Sequence, residues 1–179
     1  MTDTLITYNI CFMTRGSHIL LLNREKPSWM GCWNGIGGKV EQGELPRASM
    51  IREIAEETGI ADYVLTFKGL VTWIVDGASF GGMYLYVAEV PNAVHYETPI
   101  RSDEGILDWK HLDWITHAQN LGIATNIPTC LPYALGDSAC YDHHCQYEQG
   151  QLVDINSLLV EARIELDEAY RKRYLSKYI

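Results

Sequence analysis

Three glutamates lie close together in the sequence, at positions that an α-helix would bring onto one face. Glu53, Glu56 and Glu57 have i, i+3 and i+4 spacing, and side chains at this spacing are neighbours on a helix. Carboxylates this close repel one another and cost stability. A hard divalent cation such as Mg²⁺ or Mn²⁺ prefers oxygen ligands and would turn the repulsion into coordination. An acidic, solvated helix face without a ligand is the alternative.

The residues around these glutamates favour the cation-binding interpretation. Gly37 and Gly38 carry no side chain, so the backbone there can approach a ligand closely and present a carbonyl oxygen. Glu44 adds a fourth carboxylate at the turn into the predicted helix. Arg52 can balance part of the negative charge through a forked contact with a neighbouring glutamate. Loop and helix together therefore predict a divalent-cation site.

The helix that carries the glutamates is predicted over Pro46–Thr58. Proline is favoured in a first helical turn, and Gly59 suits the position just after the last one. The face expected to pack on the core is formed by Ala48, Ile51, Ile54, Ala55 and Thr58. The glutamates would then lie on the opposite face of the helix.

The rest of the chain predicts a mixed arrangement of strands and short helices. Strands are expected at residues 5–13, 19–22, 63–75, 82–90 and 105–110. Helices are expected at residues 112–119, 127–136 and 156–175, the last one charged and amphipathic. A hairpin is expected around Gly150. Without an internal repeat or linker, this order predicts a single α/β domain.

Composition and charge narrow the classes of function. The chain has 179 residues and a formal net charge of -9, which disfavours binding to nucleic acid polymers. A small anionic substrate stays compatible with this charge if a cation bridges it to carboxylates.

No apolar run reaches the roughly 18 residues needed to span a bilayer, and the first five residues lack the pattern of a signal peptide. We therefore expect a cytoplasmic protein that contacts no membrane, and the five scattered cysteines argue against a disulfide framework.

The segment from Gly38 to Ile60 resembles the Nudix box, G-x5-E-x7-R-E-U-x-E-E-x-G-U with U aliphatic, at every defined position. Nudix hydrolases cleave nucleoside diphosphates linked to another moiety. The resemblance implies the family's fold, an α/β/α sandwich of the α/β (α+β) class with a mixed sheet and a catalytic loop–helix–loop. Residues 1–155 would form the Nudix domain, and residues 156–179 a C-terminal helix that packs on it or mediates a homodimer.

The resemblance also implies roles for the residues of the box. Glu53, Glu56 and Glu57 would be metal ligands, and Gly37 would offer its carbonyl. Glu53 would be the base that deprotonates the attacking water. Mg²⁺, with Mn²⁺ as a substitute, would neutralise the phosphates and polarise phosphorus.

Outside the box, Glu104 is the favoured candidate for a further metal ligand. It follows Asp103 in a Ser-Asp-Glu segment before an aromatic strand, which is similar to the 8-oxo-dGTP diphosphatases of the family. An exposed acidic turn is the alternative for this segment.

Two asparagines resemble residues that bind the base in this family. The segment W-N-G-I-G-G-K-V, residues 33–40, is similar to that of the 8-oxo-dGTP diphosphatases, whose asparagine hydrogen-bonds a purine, so Asn34 would do so here. A turn asparagine before glycine is the alternative. Asn126, in an Asn-x-Pro segment, resembles the residue of MutT-like members that reads oxidised guanine, since an amide both donates and accepts. A helix N-cap is the alternative for Asn126.

Three further residues complete the predicted substrate site. Arg24 and Lys39 would supply positive charge to the triphosphate, and Asn9 would point into the base pocket. The implied reaction hydrolyses a (deoxy)nucleoside triphosphate, with 8-oxo-dGTP favoured, to the monophosphate and pyrophosphate, and so sanitises the nucleotide pool. A Nudix hydrolase with another substrate and a non-catalytic Nudix nucleotide-binding module stay open.

Overall fold

A nine-stranded mixed sheet runs through residues 5–179, the part of the chain that this computed structural model describes. Residues 1–4, on which the signal-peptide argument partly rests, lie outside the described residues. The strands are β1 (Tyr8–Arg15), β2 (His18–Arg24), β3 (Trp33–Asn34), β4 (Val64–Val75), β5 (Ser79–Glu89), β6 (Ile100–Ser102), β7 (Gly105–His111), β8 (Cys140–Glu148) and β9 (Gln151–Val160). The helices are α1 (Pro46–Thr58), α2 (Leu112–Ile115), α3 (Ile127–Gly136) and α4 (Glu168–Leu175), with 3-10 turns at Ala162–Glu165 and Ser176–Tyr178.

The sheet separates two hydrophobic clusters, one on each face. Its strand order is β6-β7-β2-β1-β5-β4-β8-β9, with β3 paired to β2, and the pairs β1–β5 and β4–β8 are parallel. Successive side chains of a strand point to opposite faces, so Leu20 joins the cluster under α1 whereas Leu21 joins the cluster under α3. Helices therefore cover both faces, which confirms the predicted α/β/α fold with a mixed sheet.

Helix α1 has the predicted bounds, but its buried side differs from the predicted face. Met50 and Ile54 are fully buried on the sheet, whereas Ile51 is 46% exposed. Ala48 and Ala55 are exposed as well. The predicted face was wrong because it did not include Met50. The face that packs on the sheet is rotated by about a quarter turn from the predicted one. The actual rotation brings Glu53 and Glu57 beside the sheet instead of opposite it.

The C-terminal part departs most from the sequence-based expectation. The hairpin around Gly150 is confirmed, but its second strand, β9, continues to Val160. The helix predicted for residues 156–175 is wrong, because only Glu168–Leu175 is α-helical. The boundary proposed at residue 155 thus falls inside β9. The helix predicted at residues 112–119 is limited to α2, and no helix within residues 5–179 has the length and apolarity of a membrane span.

A fully buried carboxylate anchors the C-terminal segment to the sheet. Asp142 on β8 accepts hydrogen bonds from the hydroxyls of Thr72 at 2.7 Å, Tyr174 at 3.0 Å and Tyr178 at 2.8 Å. A buried carboxylate is costly unless it is well paired by donors. The two tyrosines therefore attach the end of the chain to β8, and Thr72 links the same carboxylate to β4.

We expect Tyr178→Phe to lower the free energy of unfolding by about 2 kcal/mol, because it leaves a buried charged acceptor with one donor fewer. Denaturant titration would measure the change. Tyr170→Phe is the matched control, since the Tyr170 hydroxyl makes no hydrogen bond to another of residues 5–179. Equal losses in the two variants would contradict the anchoring role of Asp142.

Candidate active site

A cleft of about 1200 Å³ lies beside the N-terminal end of β1, between α1 and the loop that follows β2. This volume is large enough for a nucleotide-sized ligand. The predicted site residues that line it are Asn9, Arg24, Asn34, Gly37, Lys39, Glu53, Glu56, Glu57, Glu104 and Asn126. Arg52 and Glu44 do not line the cleft. The structure thus brings ten of the twelve predicted residues to one place.

Arg52 organises the acidic side chains from behind the cleft. Its Nε and Nη2 each lie 3.0 Å from an oxygen of Glu44, which is a bidentate contact, and Nη1 donates to Glu53 at 2.7 Å and Glu56 at 3.1 Å. The hydrogen bonds from Arg52 lower the pKa of Glu44 to about 2. Charge-assisted forked pairs of this kind fix orientation. Arg52 and Glu44 therefore position Glu53 at the cleft.

Glu57 holds a carboxylate oxygen that lacks a hydrogen-bond partner. Its Oε2 is buried and unpaired among residues 5–179, and the backbone of Gly37 lies close to the carboxylate. Burial, together with the nearby charge of Glu53, raises the pKa of Glu57 to about 8. Buried polar atoms are nearly always satisfied. The exception here marks a position where a cation would supply the missing partner.

The two glycines let the loop lie directly against this carboxylate pair. A Cβ on Gly38 would stand 2.5 Å from Oε1 of Glu53, and a Cβ on Gly37 would overlap the carbonyl oxygen of Asn9. Real Cβ atoms do not approach other atoms so closely. Side chains at these positions would therefore push the loop away from Glu53 and β1.

Asn9 borders the cleft, but its amide is used within the protein. Its Nδ2 donates to the Ser49 hydroxyl at 2.8 Å, and its Oδ1 accepts from the Gly38 amide at 3.0 Å. The residue is 3% exposed. In contrast to the prediction, its side chain therefore joins the glycine loop to α1 instead of pointing into a base pocket.

Glu104 enters the cleft from the turn between β6 and β7. It accepts a hydrogen bond from Lys26 at 2.8 Å. Within residues 5–179, no three acidic, histidine or cysteine side chains converge on one point, because Arg52 holds Glu53 and Glu56 while Lys26 holds Glu104. The available donors are nevertheless all oxygens, and Glu57 lacks only a positive partner. This donor set fits a hard dication.

The end of the cleft on the α3 side of the sheet is aromatic, because Trp29, Trp73 and Tyr147 pack against the cluster under α3, whereas α1 packs on the other cluster. This end is lined by Tyr8, Trp29, Trp73 and Tyr147. Asn126 lies at the start of α3, but its side chain makes no capping hydrogen bond. Helix capping, the alternative role for Asn126, therefore does not account for its side chain. Asn34 also lines the cleft and accepts a hydrogen bond from the next amide.

Trp73 and Tyr147 line the cleft but were not predicted site residues. In the sequence, the alternation of a strand places Trp73 on the same face as Val75, and Tyr147 on the same face as Cys145. The pairing of β4 with β8 is what brings Trp73 and Tyr147 to the cleft. Trp33 packs in an edge-on pair with Trp114 and does not line the cleft.

Known proteins resemble the chain both in sequence and in fold. A model of the NUDIX domain matches residues 5–129. The uncharacterized Nudix hydrolase YvcI of Bacillus subtilis is 34% identical over 115 residues, which cover 64% of this chain and 69% of YvcI. The oxidized purine nucleoside triphosphate hydrolase of Mus musculus is 30% identical over 112 residues, or 62% of this chain and 69% of the mouse protein.

A solved structure shares the fold. The MutT protein from Bacillus halodurans aligns with a TM-score of 0.69 and 24% identity over 84% of this chain and 95% of its own. The family match extends over more than half of the chain and includes the glycine loop and the acidic helix. The chain therefore belongs to the Nudix hydrolase family.

Proposed function

We propose that this protein is a Mg²⁺-dependent hydrolase of (deoxy)nucleoside triphosphates, with 8-oxo-dGTP as its preferred substrate. The products would be the monophosphate and pyrophosphate, and the role would be sanitation of the cytoplasmic nucleotide pool. The observation that carries the proposal is the unpaired buried oxygen of Glu57 beside Glu53, in a cleft whose other end is aromatic. Similarity to the mouse oxidized purine nucleoside triphosphate hydrolase supports the choice of substrate.

The acidic end of the cleft would hold the cation. Glu53, Glu57 and the carbonyl of Gly37 would be ligands, and the more exposed Glu56 and Glu104 would join them on release from Arg52 and Lys26. Mg²⁺ or Mn²⁺ bound there would neutralise phosphate charge and polarise the phosphorus.

The chain's own residues would perform the remaining steps. Glu53, oriented by Arg52 at 2.7 Å, would take the proton from the attacking water. Arg24 and Lys39 would bind the phosphates. Asn34 and Asn126 line the same cleft, and their amides would pair with the polar edge of the purine.

Turnover in Mg²⁺, measured by chromatographic separation of the nucleotide products, would test the proposal, with pyrophosphate as the expected second product from the triphosphates. We expect kcat/KM to be highest for 8-oxo-dGTP in a panel that also contains dGTP, a dinucleoside polyphosphate and ADP-ribose. A preference for either of the last two would keep the Nudix chemistry and refute the proposed substrate. Nucleotide binding without turnover of any member would instead support a non-catalytic binding module.

A further inference from the structure

A hairpin outside the family match contributes to the aromatic end of the cleft. The model of the NUDIX domain ends at residue 129, whereas β8 and β9 begin at Cys140 and end at Val160. Tyr147, near the end of β8, and Gly150, in the hairpin turn, both line the cleft. Part of the pocket wall therefore comes from a segment that the family pattern does not cover.

Strand pairing and turn contacts hold this hairpin in place. Tyr147 is the register partner of Val75 on β4, and its carbonyl accepts from the Asp76 amide at 2.9 Å. The Asp76 carboxylate in turn accepts from the Gln149 amide at 2.9 Å. The hairpin turn is thus bonded to the turn that follows β4, which fixes the backbone of Tyr147 at the cleft.

The Tyr147 ring and hydroxyl face different partners. The ring lies 6.3 Å from that of Trp29, measured between centroids, at an angle of 62°. The hydroxyl lies near the side chain of Thr125, the residue before Asn126. Because Tyr147 lines the cleft, its planar ring offers a ligand a flat apolar surface.

We propose that Tyr147 is a specificity-determining residue whose ring packs against the aromatic base of the nucleotide. The assignment rests on the proposed function insofar as the ligand is a nucleotide with its phosphates at the acidic end. Base–aromatic contacts tolerate many bases because each base has a π-face. Tyr147 accordingly selects for an aromatic base, and the neighbouring amides of Asn34 and Asn126 distinguish one purine from another.

The test measures binding of products, so that it does not depend on turnover. Isothermal titration calorimetry would compare 8-oxo-dGMP and dGMP with deoxyribose 5-phosphate, which lacks a base. We expect Tyr147→Leu, which keeps apolar volume but removes the planar ring, to raise Kd for both nucleotides by about 10- to 100-fold, the range of base–aromatic stacking. Affinity for deoxyribose 5-phosphate should not change.

Two further variants separate ring from hydroxyl and local from general effects. Tyr147→Phe keeps the ring and should stay within about threefold of the wild type, which is less than one hydrogen bond is worth. Tyr141→Leu is the matched control, because Tyr141 lies on the same strand outside the cleft and bonds to Asp137, and it should bind nucleotides normally.

The outcomes distinguish this inference from the proposed function. If no triphosphate is hydrolysed but nucleotide binding still depends on the Tyr147 ring, the proposed reaction fails and the base contact holds. If 8-oxo-dGTP is hydrolysed but Tyr147→Leu binds both nucleotides normally, the base contact fails. Equal losses in Tyr147→Phe and Tyr147→Leu, or no nucleotide binding by the wild type, would also overturn the inference.

Discussion

Replacing Glu53 with glutamine is expected to lower kcat by about 10³-fold, within the range that a positioned general base contributes. Glutamine keeps an oxygen that can accept the 2.7 Å hydrogen bond from Arg52, so the side chain should stay in place. It carries no negative charge and cannot take up a proton from water. Pyrophosphate release at saturating 8-oxo-dGTP and Mg²⁺ would measure the loss.

Two controls make the Glu53→Gln result specific. Glu41→Gln removes one exposed carboxylate outside the cleft and should retain wild-type kcat. The unfolding midpoint of metal-free Glu53→Gln should match that of the wild type, which would exclude misfolding as the cause. Near-normal turnover by Glu53→Gln would remove Glu53 from the role of base.

The local features of the site were predictable from sequence because they depend on short spacing. The bounds of α1 follow from Pro46 at its start and Gly59 at its end, where the glycine adopts a φ of 70° that other residues rarely take. The convergence of Glu53 and Glu57 follows from helix periodicity. The fold class followed from the order of these elements and from the family resemblance.

Features that depend on partners far away in sequence were not predictable in the same way. Asn9 was expected to face the pocket, but its contact with Ser49 joins residues 40 positions apart. Residues 156–160 were expected to be helical, yet they form the end of β9 because β8 provides a register partner for each of them. The alternation of a strand and the period of a short helix are hard to separate over five residues, so tertiary pairing decides the structure there.

The position of Tyr147 in the cleft could not be predicted from sequence for the same reason. Nothing in its immediate neighbours marks it as a ligand contact, because its place in the cleft results from the parallel pairing of β8 with β4. Parallel neighbours require a long crossover connection, here the chain between Val75 and Cys140. The Nudix motif therefore predicts the acidic end of the cleft from sequence but not its aromatic end.

Glu57→Gln is expected to abolish the stabilisation of the fold by Mg²⁺ or Mn²⁺. A ligand that binds only the folded state stabilises it by RT ln(1 + [L]/Kd), about 2.7 kcal/mol at 100 times Kd. The wild type should show this gain in denaturant titrations with cation, and Glu41→Gln should show the same gain. Glu57→Gln should show little or none, because the amide offers a neutral and weaker donor in place of the buried carboxylate.

The stability of Glu57→Gln without cation would show whether Glu57 is a metal ligand or a residue that only supports the fold. If Glu57 served only to support the fold, its replacement would destabilise the protein without cation. Its Oε2 is buried and unpaired, and a buried carboxylate without partners is costly. We therefore expect metal-free Glu57→Gln to be at least as stable as the metal-free wild type. A variant that is less stable without cation, yet gains as much as the wild type with it, would show that the cation binds elsewhere.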